Sequence, residues 1–401
     1  MRHVPLCHRW IFILFFGSFS ALAQDVRVEK QGADQVTLDL SGFESGSAEG
    51  ALFLRTLQKD LTLSGWFSLV SSGRAELRVT GAATERRGDL NIACNLLRSD
   101  ASIALLNKSW KSPAGQARRL AHTVADALVE AIGHKGFASA RIVLVGNRTG
   151  NKELYLCDSD GESLTQLTKD RSISLYPRWF PDGNRMAYVG FMKGFPDLYQ
   201  LELSTGRRKR ISSFPGLNTG GAVSPDGQSM ALILSREGNP ELYVRDLRSG
   251  ADLRMTRTPK AIESSPSWSP DGKRITYVSD VSGTPQIYIL SREGGSPRRM
   301  TSRGAENVSP NWGSNGMIVF ASRVGLQYQL GVLHPDTGET RWIVPDGGSY
   351  EDPCWTPNGR HLTCTRTVGR KSAISLVDTA TGVAVSLITV SGDWFSASWS
   401  R

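Results

Sequence analysis

The chain has 401 residues, 39% hydrophobic and 21% charged, with 14 Phe, 10 Trp and 9 Tyr, which is enough apolar material for a core and excludes a disordered scaffold. Its 41 Gly and 18 Pro supply more turn positions than a helical bundle needs and favour many short strands. Basic residues outnumber acidic ones by 47 to 38, a balance of +9 that suits an anionic partner or surface without calling for nucleic acid.

The first nine residues carry Arg2 and Arg9 and no acid, Trp10 to Phe19 is an apolar run, and Ala21-Leu22-Ala23 is a small-x-small site. This pattern predicts a secretory signal peptide over residues 1–23, cleaved between Ala23 and Gln24. A membrane anchor needs about 20 apolar residues, roughly twice what the run offers. Cys7 precedes the run, the wrong side for a lipid-anchoring cysteine. Without Arg2 and Arg9 the remaining 378 residues carry +7, and the mature chain is expected to be exported and soluble.

Residues 24–136 read as a small α/β domain. Leu52, Phe53, Leu57 and Leu61 form a helical stripe within Ala48 to Ser64. Leu77 to Thr80, Leu90 to Leu96 and Ile103 to Leu106 alternate as strands. Ser112-Pro113 reads as the start of a second helix, with Leu120, Val124, Leu128 and Ile132 four apart and Gly133 and Gly136 ending it. His122 on that helix has no partner at metal spacing and reads as a surface or core histidine.

Residues 137–401 are governed by a repeat. The turn triplet recurs as Pro181-Asp182-Gly183, Pro225-Asp226-Gly227, Pro270-Asp271-Gly272, Ser314-Asn315-Gly316 and Pro357-Asn358-Gly359, spaced 44, 45, 44 and 43. That period lies in the range of propeller blades. Three residues before each middle residue stand Trp179, Val223, Trp268, Trp312 and Trp355, expected to pack between neighbouring blades. Each repeat reads as a short strand ending at that residue, the turn, a β-rich strand such as Ile275 to Ser279, a third strand ending in a second Gly turn, and an outer strand. Upstream, Arg141 to Val145, Leu154 to Gly161 and Leu164 to Leu167 supply three strands of a blade that lacks its first. Phe395 to Trp399 supplies the missing one, with Trp399 again 44 residues after Trp355. The fold class is therefore mainly β: a six-bladed β-propeller closed by the C-terminal strand, preceded by the α/β domain.

Repeats such as Ser267-Trp268-Ser269-Pro270-Asp271-Gly272-Lys273-Arg274-Ile275-Thr276-Tyr277-Val278-Ser279-Asp280, and Pro285-Gln286-Ile287-Tyr288 followed by Gly294 to Thr301, resemble those of the TolB family of the Tol-Pal system. The resemblance covers the whole mature chain, most specifically in the propeller and in domain order. It implies a non-enzymatic periplasmic protein linking inner-membrane Tol proteins to the outer-membrane peptidoglycan-associated lipoprotein, Pal, in envelope integrity and in outer-membrane constriction at division. It further implies that Gln24, Asp25, Val26, Arg27 and Val28 bind TolA and that loops entering the innermost strands bind Pal. Those loops carry Tyr176, Arg178, Asn218, Thr219, Glu263, Ser264, Glu306, Asn307, Glu351, Asp352 and Trp394. Asn218, in Phe214 to Asn218, and Glu351, before Trp355, match the family pattern best, whereas Leu217 stands where a histidine is expected. No cofactor, no nucleic acid, membrane contact only through partners, and a monomer follow from the same resemblance.

Other chemistries find less support. Cys354 and Cys364 flank Pro357-Asn358-Gly359 and could form a disulfide across a hairpin or remain two buried thiols. No Cys-x-x-Cys exists, and His122, His134, His334 and His361 do not cluster with the cysteines, which disfavours zinc. A hydrolase would need about 250 further residues and a Gly-x-Ser-x-Gly elbow. Asp158-Ser159-Asp160-Gly161 lacks the later Glu of a calcium loop and reads as a hairpin turn. A cation in the central channel stays open. Arg207 to Arg210 and Arg298-Arg299 could meet an anionic glycan, but fall on expected outer strands, where charge protects an exposed edge.

Overall fold

The computed structural model describes residues 35–71, 75–100, 104–302, 304–343 and 347–400. The expected signal peptide with its Ala23/Gln24 junction, and Gln24 to Val28, lie outside the described residues.

The N-terminal region is a five-stranded sheet with two helices on one face. Its elements are β1 (Val36–Ser45), α1 (Ala48–Leu63), β2 (Phe67–Val70), β3 (Leu77–Arg86), β4 (Asp89–Arg98), β5 (Ala104–Pro113) and α2 (Ala117–Ala131), with sheet order β2-β1-β3-β4-β5. Ser47 caps α1 by accepting a hydrogen bond from the Gly50 amide at 3.1 Å. Phe53, Leu57 and Leu61 of α1 meet Leu120, Val124 and Leu128 of α2 over the sheet in one core. Both expected helical stripes are thus internal. The start of α2 differs from expectation: Ser112 and Pro113 end β5, paired with Leu90 and Asp89. Trp110, opposite Ile92, packs against the core and draws the chain onto the sheet edge, where a terminal Pro loses no ladder bond.

The propeller begins with β6 (Arg141–Gly146), β7 (Glu153–Asp158) and β8 (Thr165–Gln166). Five complete blades follow: β9 (Ser174–Trp179), β10 (Arg185–Gly190), β11 (Asp197–Glu202) and β12 (Arg208–Ser212); then β13 (Asn218–Val223), β14 (Ser229–Leu234), β15 (Glu241–Asp246) and β16 (Asp252–Arg254); then β17 (Glu263–Trp268), β18 (Arg274–Ser279), β19 (Gln286–Ser291) and β20 (Arg298–Arg299); then β21 (Asn307–Trp312), β22 (Ile318–Val324), β23 (Gln327–Leu333) and β24 (Thr340–Ile343); then β25 (Ser349–Trp355), β26 (His361–Val368), β27 (Lys371–Asp378) and β28 (Ala384–Ser386). The last strand, β29 (Trp394–Trp399), pairs antiparallel with β6, Trp399 opposite Ile142 and Trp394 opposite Gly146, and completes the first blade in the order β29-β6-β7-β8. The ring therefore closes as the repeat count requires.

Blade contacts follow the tryptophans. Trp268 packs with Ala231 and Ile233 of the preceding blade, and Trp355 with Val319 and Leu330 of its own predecessor. The Trp268 indole donates to the Ala222 carbonyl at 2.9 Å and the Trp179 indole to the Ser398 carbonyl at 3.0 Å, tying each inner strand to the one before it.

The candidate disulfide is corrected by the register. Cys354 lies opposite Thr363 and Cys364 opposite Ser375, so the two side chains leave opposite faces of the blade, and both thiols are free and buried in separate clusters.

The α/β domain sits against the propeller face where the Pro-Asp-Gly turns lie. Phe137 meets the rings of Trp399 and His361, and Arg360 stacks on Trp66, its guanidinium 4.0 Å from the ring centroid. Between the two units, the domain-facing end of the channel widens into a cavity of about 550 Å³ walled by Trp179, Trp268, Trp312, Trp355, Trp399 and Lys135.

Candidate partner-binding face

Every innermost strand starts at the face opposite the α/β domain, so the loops before β9, β13, β17, β21, β25 and β29 share one mouth. The sequence reading treated the residues there as equivalent contact positions, and the structure divides them. Ser174, Asn218, Glu263, Asn307, Tyr350 and Trp394, one from each blade at the first or second place of its inner strand, are all at most 1% exposed. Asn218, Glu263, Asn307 and Trp394, expected among the contact residues, are thus buried anchors of the mouth loops rather than exposed side chains. Asn218 accepts from the Ser212 hydroxyl at 2.8 Å and the Phe214 amide at 2.9 Å, and donates to the Phe214 carbonyl at 2.7 Å, which fixes the loop from 213 to 217 from inside. Asn307 donates to Gln286 Oε1 at 2.8 Å, and the Trp394 indole donates to the Val390 carbonyl at 3.0 Å. Glu263 accepts from Thr258 Oγ1 at 2.9 Å and Ser279 Oγ at 2.9 Å. Burial, aided by neighbouring Glu241 and opposed by those two hydroxyls, raises its carboxyl to about 7.

Two residues after each anchor the strand bulges. Tyr176, Ser265, Ser309, Asp352 and Ser396 have φ between +47° and +52°, and Gly220 takes the equivalent place in the remaining blade at +92°. Left-handed backbone at non-glycine residues costs about 1–2 kcal/mol each and persists where the surroundings impose it. Each bulge turns its residue toward the channel. There Asp352 links three blades, accepting from Ser309 Oγ at 3.0 Å and Ser396 Oγ at 2.5 Å. No residue propensity betrays these positions; only the 44-residue superposition of Tyr176 with Asp352 could have found them. Of the other expected contact residues, Tyr176 and Glu351 are exposed and Thr219, Ser264, Glu306 and Asp352 half-buried, while Arg178 lies deeper, on the wall of the cavity at the domain end. Glu351 is held above the usual carboxylate range by burial and by Asp352.

The rim around the mouth is apolar. Ile173, Met192, Phe195, Phe214, Ile262, Val281, Val324, Leu326, Val368 and Val390 all stand exposed at loops or hairpin tips on this face, Phe195 at 70% and Leu326 completely. Among the described residues, the other large exposed apolar side chains besides Tyr176, namely Leu253, Trp342, Val383 and Val385, lie at or beside the outermost strands. Sequence reasoning missed this rim because each loop contributes only one or two members. Large exposed apolar patches of this kind are uncommon on monomeric proteins and are usual at protein–protein contacts. The basic run on β12 is partly neutralised, Arg208 pairing with Asp170 at 2.5 Å and Arg210 with Asp197 at 3.4 Å, which fits edge protection better than an anion site.

His122 is neither on the surface nor isolated. With Asp158 and Asp160 it brings ligand-type atoms within 4.8 Å of one another. Arg118, however, donates to Asp160 at 2.7 Å and Asp158 at 3.0 Å, so a guanidinium already supplies the cation. Asp158 to Gly161 forms a hairpin turn after β7.

A family profile described as the TolB beta propeller domain matches residues 130–401. The chain belongs to the TolB family. The Tol-Pal system protein TolB of Legionella pneumophila is 28% identical over 237 residues, 53% of this chain and 56% of that protein. A protein TolB homolog of Chlorobaculum tepidum is 30% identical over 246 residues, 52% of this chain and 56% of that one. The chain thus spans little more than half the length of the curated TolB relatives it matches. The crystal structure of TolB from Acinetobacter baumannii superposes with a TM-score of 0.83 at 28% identity, covering 92% of this chain and 97% of that one. The TolB fold thus extends over the α/β domain as well as the propeller. No helix among the described residues is long and apolar enough to cross a membrane.

Proposed function

We propose that this chain is a non-enzymatic, periplasmic component of the Tol-Pal system that joins two partners. The mouth of the propeller takes the outer-membrane peptidoglycan-associated lipoprotein, and the segment Gln24 to Val28 takes TolA. The protein thereby links the inner-membrane Tol proteins to the outer membrane, for envelope integrity and for constriction at division. The observation that carries the reading is the apolar rim on the one propeller face not covered by the α/β domain. Such a rim suits a folded protein partner, with Phe195 and Leu326 as anchors and Glu351 and Tyr176 as polar contacts inside it. The units 24–136 and 137–401 would divide the two tasks.

Affinity capture from envelope extracts of the source cells tests the class, and recovery of both the lipoprotein and TolA is expected. Phe195→Asp with Leu326→Asp, and separately Glu351→Ala, should weaken lipoprotein capture while leaving the melting temperature unchanged. Removal of residues 24–28 should abolish TolA capture alone. Full lipoprotein capture by all the mouth variants, or salt-sensitive binding to purified peptidoglycan with no lipoprotein present, would overturn the assignment.

A further inference from the structure

The joint between the two domains holds two buried histidines in opposite surroundings. His122 on α2 has Nδ1 2.7 Å from Asp60 Oδ2 on α1 and Nε2 3.5 Å from Asp158 Oδ2 in the turn after β7. Both ring nitrogens thus face carboxylates, which only the doubly protonated ring can serve as a donor on both sides. Every neighbouring element contributes charge. From α1 come Asp60 and Lys59, the latter 2.7 Å from Glu162 and 3.7 Å from Asp160. From α2 come Arg118, paired with Asp158 and Asp160, and Asp126, whose oxygens accept from the Ala138 and Ser139 amides at 2.8 and 2.9 Å. From the propeller come Asp158, Asp160 and Glu162, with Arg141 near enough to Asp158 to feel its charge. With His122 neutral, Asp60, Asp158, Asp160 and Glu162 would be matched by Arg118 and Lys59 alone, and neither of those cations reaches Asp60. His361, on the propeller, is the reverse case. Its Nδ1 lies 3.2 Å from the Asn358 amide nitrogen and so accepts, the ring meets Phe137, and the one carboxylate near Nε2, Asp378 at 4.0 Å, is already paired with Arg360, whose charge opposes a second positive one.

We propose that the joint between the α/β domain and the propeller is a proton-operated clamp, closed by an imidazolium at His122 that bridges Asp60 on α1 to Asp158 on the propeller, and released when that proton leaves. Burial alone would drive His122 toward neutrality, but the carboxylate of Asp158, 3.5 Å from Nε2, and the hydrogen-bonded carboxylate of Asp60 outweigh it and raise its pKa to about 9. Asp60 is raised to about 6, chiefly by burial, so above that pH its charge depends on His122. Asp60 stays with His122 when the domains part, so docking adds the Asp158 carboxylate, and the histidine's contribution to holding the domains together is complete well below the raised pKa of about 9 and is lost as pH climbs through it. His361, lowered to about 4 mainly by burial, opposes docking only at the acid end and leaves the alkaline limb to His122 alone.

The test follows the His122 ring by NMR in the full mature chain from pH 5 to pH 10, with small-angle X-ray scattering of the same sample reporting domain separation. The ring should titrate near pH 9, and the domains should separate over the same range. His122→Asn should abolish that separation step, and Asp158→Asn should move it down by about one pH unit, the usual scale for one lost charge partner. A His122 midpoint at or below 6.5, a separation unchanged between pH 7 and pH 10, or a His122→Asn protein that opens as the unaltered one does would each overturn the proposal. If His122→Asn fails to fold, the titration of the unaltered chain decides.

Discussion

Removing residues 394–401 deletes β29 and opens the ring at the blade that both ends of the propeller share. Trp394 and Trp399 are almost wholly buried, packed among Tyr155, Ile142, Ile374 and Leu376. Losing a buried aromatic costs about 3–5 kcal/mol each. The deletion also leaves β6 without its ladder partner, Trp179 without the Ser398 carbonyl, and the Thr365 hydroxyl without the Ser396 amide. The two tryptophans alone therefore remove about 6–10 kcal/mol, comparable with the whole stability of an ordinary domain, about 5–15 kcal/mol. Urea unfolding followed by tryptophan fluorescence and by circular dichroism should show no cooperative propeller transition in the truncated chain. A synthetic peptide spanning residues 390–401, added in trans, should restore part of it. A truncated protein that unfolds cooperatively with the original midpoint would refute the closure and the energetics together.

Three smaller perturbations probe the face and the frame. Glu263 has its carboxyl raised to about 7 in the folded chain, so its contribution to stability is full below about 4.5 and is lost as pH rises through about 7. Glu263→Gln should accordingly gain stability over the native chain by about 2 kcal/mol at pH 8, after allowance for screening, and nothing at pH 4; equal melting curves at pH 8 would contradict this. Asn218→Ala should cost about 1–3 kcal/mol and speed hydrogen exchange across residues 213–217, since it orphans the groups that Asn218 now satisfies. Gly161→Ala should destabilise both the turn and its contact with the neighbouring blade, because φ is +84° there and a Cβ would lie 2.1 Å from the Leu387 carbonyl oxygen; an unchanged melting temperature would rule that strain out.

The repeat made the propeller legible. A turn triplet every 44 or so residues, with a tryptophan, or once Val223, three residues before its middle residue, is a local signal repeated often enough to fix the strands, their order and the closing partner. The α/β region was less readable, because β1 and β2 pair in parallel with strands distant in sequence and carry no turn signature of their own, and because Ser112-Pro113 suits a strand end as well as a helix start. At the mouth, spacing located the loops but not the orientation of each side chain. Asn218 and Glu263 are turned inward by hydrogen bonds to neighbouring loops and strands, and the left-handed backbone at Tyr176 and Asp352 follows two residues after each anchor, neither of which spacing reveals. Nor could the sequence pair His122 with Asp158, since their contact joins elements 36 residues apart that belong to different cores.

The shared blade also orders events in time. The Arg141 amide donates to the Ser400 hydroxyl across 259 residues, and every ladder bond between β6 and β29 spans nearly the same length of chain. Contacts so distant form late, after loop-closure entropy has been overcome by nearer ones. Synthesis proceeds from the N-terminus, so the outer edge of β6 has no partner until β29 has emerged. Its Ile142-Val143-Leu144-Val145 segment is the kind of apolar strand that recruits the wrong partner. β29 is therefore both the stabiliser of the native ring and the strand whose arrival covers the exposed apolar edge of β6.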